Sequence, residues 1–372
     1  MVASAMIPYP HARSLDAAFA DERNSFNAVR LLAAAAVVVS HSFALLRGEL
    51  VGEPLYGLTP YTLGQHAVTV FFALSGLMLA RSWARNPSIL RFARARLLRI
   101  YPALIACGVV TAFVIGALAT RVPPGEYLAA RATLAYPALI GAFFNGAPLP
   151  DVFTTGPQPG AINYSLWTIK YELAAYVAFG VAALLGLAGR RVLVLLAVVA
   201  LIGAVYVLER VEPVGRLAPL VPAGRFFLAF ALGVAAYDWR ARLPLRFDLL
   251  AGLTLAAFAI QALVPDLAEA AFVALAAYGA LVFGSLPARG PAALAARHDL
   301  SYGLYLYGWP VQQLILPHAD WHPLAHAGAA TAIALMFAGL SWFLVEKPAL
   351  TLKRRRSPAP APLPAPAFQR VR

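Results

Sequence analysis

Two ionisable side chains sit inside one long apolar run. The stretch 27–46, NAVRLLAAAAVVVSHSFALL, carries Arg30 and His41. At roughly 100° per residue their spacing returns to within about 20° of the same direction, on the order of 16 Å further along a helix. In a bilayer such groups must face protein or a wet cavity, which makes them functional candidates. An imidazole is suited to general-base work near neutrality, and a guanidinium to holding oxyanions. A plainer reading stands beside this one: Arg30 snorkels to the inner surface, and His41 is a hydrogen-bonded packing residue.

A carboxylate follows in a second apolar segment, INYSLWTIKYELAAY. Glu172 lies about two turns from its start, so the spacing predicts a depth similar to that of His41, where a carboxylate would fix the imidazole tautomer and support its protonated form. The alternative partner for Glu172 is Lys170 or Arg225 at the outer interface. Lys170, two residues away, does not share its face and is able to snorkel outward. Arg96 and Arg99 form an R-x-x-R pair on one face of a helix about to enter the membrane. Together they suit bidentate phosphate binding, or serve as an ordinary inner-side anchor.

Ser75, Trp167, Tyr302, Tyr305 and Gln312 are candidates to line a cavity. Ser75-Gly76 equally suits close helix packing. Tyr302, Tyr305 and Trp309 recur at helical spacing, as a structural aromatic stripe does, and Gln312 and Gln313 are unexpected in lipid. His318, His322 and His326 recur every four residues, but Pro317 and Pro323 interrupt the helix, so no metal is expected.

The elements that must hold these groups are legible in the composition. The chain has 372 residues, 61% hydrophobic and 13% charged, with mean hydropathy +0.70; soluble domains carry about 25% charge. It reads as an all-α, polytopic membrane protein. The single cysteine, Cys107, excludes an internal disulfide and a paired-cysteine metal site. A net charge of +13 would suit nucleic acid, but the basic residues fall in short clusters between apolar segments, the positive-inside pattern. No nucleic-acid partner is expected, and the polar first 25 residues show no cleavable signal.

Ten spans are expected, at about 27–46, 64–83, 100–119, 164–187, 192–208, 219–237, 247–264, 267–286, 301–317 and 324–345. An even number puts both termini on one side. The count places most Lys and Arg inside, leaving Arg47, Arg121, Arg131, Lys170, Arg210, Arg216 and Arg225 on the outer side or within the outer halves of helices, so the termini are expected in the cytoplasm. Six arginines, Arg81, Arg85, Arg91, Arg94, Arg96 and Arg99, mark the inner loop after the second span. The segment 120–163 is expected as a re-entrant or surface piece on the outer side, because its apolar core, TLAYPALIGAFF, is too short to span. Residues 1–25 read as a cytoplasmic arm, 26–350 as the membrane domain, and 351–372 as a basic, Pro/Ala-rich disordered tail. No internal repeat is apparent, which weakens an inverted-repeat transporter.

Taken in order, these segments resemble the acyltransferase-3 family of bacterial inner-membrane O-acyltransferases. VRLLAAAAVVVSH carries the family's Arg-x10-His, and VTVFFALSGLMLA its FF-x-x-SG pattern. RARLLRIYPA matches R-x-x-R-I-x-P, and INYSLWTIKYELAAY matches SLW-x(4)-E-x(3)-Y, ending on Tyr176. LSYGLYLYGWPVQQ is similar to the late SYG-x-Y motif, and WFLVEKPA to the terminal E-x-P. The likeness covers about residues 26–350. Many relatives have His where Gly308 stands, so a role for that histidine does not transfer. The tail is too short for the esterase-like domain fused to some relatives.

The resemblance implies transfer of an acyl group, acetyl in the first instance, from acyl-CoA as co-substrate. The acceptor would be a hydroxyl of a cell-surface saccharide or glycolipid precursor, at the bacterial inner membrane. His41, oriented by Glu172, is expected to act as general base or to carry the acyl group covalently. Arg30, Arg96 and Arg99 are expected near the CoA phosphates and the leaving thiolate. Two other readings remain at this point. A transporter or flippase exporting a glycan or lipid would use the same intramembrane Arg, His and Glu but would not hydrolyse acyl-CoA. A non-catalytic scaffold would bind acyl-CoA without turnover.

Overall fold

The computed structural model describes residues 13–20, 24–48, 50–318, 320 and 322–352. The expected disordered tail lies outside them apart from its first two residues, which end a helix. Ten helices of 15 residues or more are present among the described residues. They are α1 (Phe26–Arg47), α2 (Leu63–Arg85), α3 (Ile89–Ala119), α4 (Ile169–Leu184), α5 (Arg191–Val211), α6 (Leu220–Asp238), α7 (Phe247–Leu263), α8 (Ala268–Ser285), α9 (Ser301–Ile315) and α10 (Pro323–Leu352). The chain is an all-α membrane protein. Seven of these helices, α1, α2, α3, α5, α6, α8 and α10, are long and apolar enough to cross a bilayer.

The three shorter helices have different surroundings. Helix α9 is buried on every side from Ser301 to Gln313, so protein rather than lipid sets its length. Helix α4 is preceded by a 3-10 turn, Tyr164–Thr168, inside the expected span. Helix α7 has 17 residues and is exposed over most of its surface, as a lipid-facing helix is.

The boundaries have local causes. Helix α1 stops at Gly48, whose φ of 70° places it in the left-handed region and lets its N–H bond to the Ala44 carbonyl. Helix α2 opens on a capping box between Thr62 and Gln65. The buried Glu53 carboxylate accepts the Leu63 N–H at 2.7 Å and those of Leu55 and Tyr56 at 2.9 and 3.0 Å, fastening the loop 50–62 to that helix end. Helix α3 starts eleven residues before the expected span. Its first three turns carry Arg91, Arg94, Arg96 and Arg99, and arginine is a good helix former with no reason to break there.

Two packing devices set the core. Helices α2 and α6 meet backbone to backbone: a Cβ on Gly233 would lie 1.9 Å from the Ala73 carbonyl, and one on Gly76 2.1 Å from that of Phe230. Small residues allow this approach where no hydrophobic force acts between helices. In α9, Pro310 has no N–H for the Leu306 carbonyl. Asn163 Nδ2 donates to that oxygen at 2.9 Å, and the Cys107 thiol lies 3.5 Å from it, so the proline joins α9 to α3 and to the start of α4.

The segment 120–163 holds two short helices, Pro124–Ala129 and Arg131–Gly141. Both pack on α3. Tyr127 donates to the Ala112 carbonyl at 2.7 Å, and a Cβ on Gly108 would fall 2.9 Å from Pro137. Part of the N-terminal arm is ordered: Arg13–Ser14 pairs antiparallel with Pro244–Leu245, and the helix Leu15–Ala20 buries Leu15 and Ala18.

Candidate active site

Arg30, near the start of α1, donates to Asp299 at 2.6 Å, and Arg99 from α3 donates to the same oxygen at 2.7 Å. The Ser301 hydroxyl holds the other Asp299 oxygen at 2.5 Å. Burial by itself would push the Asp299 carboxyl up, but Arg30 and then Arg99 outweigh it and hold it well below the usual carboxylate range. Asp299 also precedes the N-terminus of α9, where a negative charge is favoured. Arg99 reaches Glu346 at 3.8 Å, in a π turn of α10, and stacks over Tyr302 at 5.4 Å. Three helices and one loop therefore meet in a buried cluster of two arginines and two carboxylates.

Arg96 stands apart from this cluster. It lies over the Tyr176 ring at 5.4 Å, and its buried Nε has no hydrogen-bond partner. The R-x-x-R pair does not act as one clamp here: Arg99 is engaged by carboxylates, whereas Arg96 has no carboxylate partner among the described residues.

Above the cluster is a small cavity of about 40 Å³, lined by Arg30, Phe71, Phe72, Ser75, Thr168, Glu172, Tyr302 and Tyr305 among others. Glu172 accepts from the Tyr176 hydroxyl, one turn along α4, and from Ser75 at 3.4 Å. Val68 and Tyr305 line this cavity and also a second, outer one of about 320 Å³. His41 opens on the outer cavity with Ser40, Gln65, Gln158, Tyr164, Trp167, Phe226 and Trp309. Its ring meets Trp309 edge-on at 5.0 Å, and its buried Nδ1 has no hydrogen-bond partner. Arg30 and His41 thus occupy one face of α1 and line successive cavities.

The expected His41–Glu172 hydrogen bond is not formed. Glu172 lines the inner cavity with Arg30, and His41 the outer one. The reason is depth. Tyr164 and Trp167 line the outer cavity, but the chain already descends as a 3-10 turn from Tyr164 at about 2 Å per residue. That sets Glu172 roughly 14 Å beyond Tyr164. Arg225 does not hold Glu172 either; it pairs with Glu269 at 3.3 Å, while the Lys170 ammonium sits over Tyr171 at 5.1 Å.

Tyr305 bonds Thr168 at 2.6 Å and the Ser165 carbonyl at 2.8 Å, holding the wall between the cavities. Gln312 lines neither cavity. Fully buried, it donates to Ser42 at 2.7 Å and to the Val38 carbonyl at 2.8 Å. His326 closes the same network through Ser42 at 3.0 Å and the Gln312 carbonyl at 3.1 Å. His322 caps α10, and His318 lines a separate cavity on the same side as the outer one.

The acyltransferase domain family matches residues 23–345, most of the chain. The chain belongs to the acyltransferase-3 family. This acyltransferase is 30% identical over 347 residues to the O-acetyl transferase of Shigella phage Sf6, covering 90% of this chain and 97% of the relative. It is 28% identical to nodulation protein 10 of Rhizobium leguminosarum bv. viciae, covering 89% and 94%. Acyltransferase MdmB of Streptomyces mycarofaciens is also 28% identical, covering 90% and 93%. No solved structure matches the chain.

The fold gathers the acyltransferase's scattered motifs. The R-x-x-R arginine Arg99 meets the E-x-P glutamate Glu346 through one contact and the Arg-x10-His arginine Arg30 through Asp299. Asp299 is the residue that sequence reasoning missed. Its signal was charge balance: two arginines taken out of water need a carboxylate, and Asp299 directly precedes the LSYG motif.

Proposed function

We propose that this multi-pass membrane acyltransferase moves an acyl group, acetyl in the simplest case, from a cytoplasmic acyl-CoA to a hydroxyl of a cell-surface saccharide or glycolipid precursor in a bacterial inner membrane. The observation that carries the reading is the pair of stacked cavities on one face of α1. His41 lines the aromatic-walled outer cavity and has a buried Nδ1 without a hydrogen-bond partner, and Arg30 lies below it beside Asp299 and Arg99. Aromatic faces such as Trp167, Trp309 and Tyr164 suit a sugar ring with one apolar and one polar surface. Arg96, with no carboxylate to neutralise it among the described residues, is the better placed of the R-x-x-R arginines for a CoA phosphate. Membership in an acyltransferase family removes the reasons for the transporter and scaffold readings.

In the reaction, His41 takes the proton of the acceptor hydroxyl as its oxygen attacks the thioester carbonyl. The carbon–sulfur bond breaks, and the CoA thiolate leaves toward the inner side and takes up that proton. In the covalent variant the imidazole is acylated first and the hydroxyl attacks next. Glu172, held by Tyr176 and Ser75, lines the inner cavity, which must widen from its present size to pass the pantetheine arm. The name O-acetyl transferase for the phage relative supports acetyl as the group and oxygen as the acceptor atom. The test is mass spectrometry of surface glycans from cells with and without the protein, paired with acetyl-CoA turnover by the purified enzyme. An ester that disappears with the gene is expected. Unchanged glycans together with no acetyl-CoA turnover would refute the reading.

A further inference from the structure

A third cavity, of about 460 Å³, lies against the one that holds His41 and is larger than it. Three elements contribute adjacent residues to both. On α1, His41 and Ala44 line one cavity, and Leu45 and Leu46 the other. On α9, Trp309 lines one, and Gln313, a turn further, the other. In the loop before α4, Gln158 lines one, and Gly156 and Pro157 the other. The two cavities therefore share one wall, built from α1, α9 and the loop before α4. It is fixed in place: Gln313 donates to the Gln158 carbonyl at 3.1 Å, and Trp309 to the Ala161 carbonyl at 2.7 Å.

The lining is mixed: Leu45, Leu46, Leu118, Leu314 and Leu316 make much of the wall, and a polar set interrupts it. Arg121, Asp151, Gln313 and His318 supply planar donors and acceptors, and Phe153 supplies an aromatic ring. One arginine and one aspartate leave little net charge, unlike a phosphate site. The several hydrogen-bonding groups are wasted on a lipid tail. A neutral polyol with vicinal hydroxyls suits the groups that remain open, since a carboxylate accepts from two hydroxyls and a guanidinium donates to two.

The loop that presents these groups is held in an unusual conformation. Asp151 and Phe153, neither of them glycine, have φ of 49° and 52°. Each such residue costs on the order of 1–3 kcal/mol, and such strain persists where the surroundings enforce it, often at ligand sites. Here the surroundings are specific: Thr154 donates to Asp151 at 2.8 Å, the Gly160 N–H to the Phe153 carbonyl at 2.8 Å, and Thr120 to the Pro150 carbonyl at 2.8 Å. Val152 between them is buried.

We infer that this cavity is a second saccharide subsite, which binds a sugar unit of the acceptor one or two residues away from the unit that His41 serves. The inference rests on the saccharide reading above. It makes the acceptor an oligosaccharide or polymer rather than a single sugar, and it assigns Arg121 and Asp151 to acceptor selection.

The natural chain offers a clean probe, because its one cysteine, Cys107, is buried. In purified Thr155→Cys protein, the rate of maleimide labelling reads occupancy of this cavity without any catalysis. A panel of neutral trisaccharides and the matching methyl monosaccharides is added without acyl-CoA. Expected is that at least one trisaccharide slows labelling, its monosaccharide does so far less, and adding Asp151→Asn or Arg121→Gln raises the half-protecting concentration about ten-fold or more. Protection by no trisaccharide, or protection unchanged by both variants, overturns the subsite. Acetyl transfer is measured on the same panel. Protection without transfer supports the subsite and counts against the proposed reaction; transfer without protection does the reverse.

Discussion

At the residue scale, His41 and Asp299 make opposite predictions. His41 has its buried Nδ1 free and a cavity in front of it, so its substitution should affect chemistry more than folding. General-base catalysis contributes about 10²–10⁴-fold, and His41→Ala and His41→Asn should both lose at least about 10²-fold in acetyl transfer. Asn keeps a polar side chain of moderate size, so normal detergent-extracted yield is expected from it. Near-wild-type turnover by His41→Asn would remove the catalytic assignment. Asp299 neutralises two arginines, and breaking a buried pair costs about 3–5 kcal/mol. Asp299→Asn should therefore reduce thermal stability and yield first, and activity only with them. The sign with pH follows from its lowered carboxyl. Its stabilising contribution is complete above the unfolded carboxylate value near pH 4 and is lost as pH falls below that. The gap in unfolding temperature between wild type and Asp299→Asn should be flat from pH 8 to about 5 and close in stronger acid. The arginines divide in the same way. Arg96→Ala should weaken acyl-CoA binding roughly ten- to a hundred-fold at near-normal stability, whereas Arg99→Ala should destabilise. Equal effects of the two on both measurements would restore the view of the pair as a single clamp.

At the element scale, the site depends on how closely helices approach. Helix α2 brings Ser75 to Glu172 and Val68 to the wall between the cavities, and its backbone touches that of α6 at Gly233. A side chain on Gly233 has nowhere to go, since the nearest atoms are backbone: Ala73 O at 1.9 Å and Leu77 N at 2.8 Å. Overpacking of this kind costs about 1–3 kcal/mol. Gly233→Val should lower the midpoint of thermal unfolding in detergent and reduce acetyl transfer, because moving α2 displaces Ser75 and Val68 from the cavity walls. An unchanged midpoint would mean that α6 shifts freely. Helix α9 is the central element. Its proline, aromatic side chains and glutamines look like a poor membrane span, and burial on every side explains why that is tolerated.

At the scale of the whole molecule, the stacking of cavities along α1 needs a defined direction through the bilayer. The proposed ten-span arrangement puts Arg30, Arg96, Arg99 and Asp299 at the cytoplasmic end, and His41 with the loop 150–158 toward the outside. A reporter active only in the periplasm, fused after residue 372, should give no signal, and a membrane-impermeant maleimide should label Thr155→Cys in intact cells. A strong reporter signal, or labelling only after the cells are broken, would invert the arrangement. The route for the donor would then lead from the wrong side.

The sequence alone determined the class of molecule, the course of the helices and the family, since these depend on local apolar runs, charge bias and short motifs. A helix stands at each of the ten expected positions, seven of them long and apolar enough to cross a bilayer, and the spacing of Arg30 and His41 placed them on one face, because helical periodicity is a property of the chain itself. The partners were decided only by the tertiary structure. Whether Arg99 grips a phosphate or a carboxylate depends on Asp299, 200 residues away. Whether Glu172 meets His41 depends on the depth at which packing sets each of them, and they line different cavities. Whether Gln312 lines a cavity or ties α9 to α1 depends on the approach of Ser42. A buried charge or amide takes whichever partner the packing brings within about 3 Å, and no local pattern in the chain encodes which one that will be.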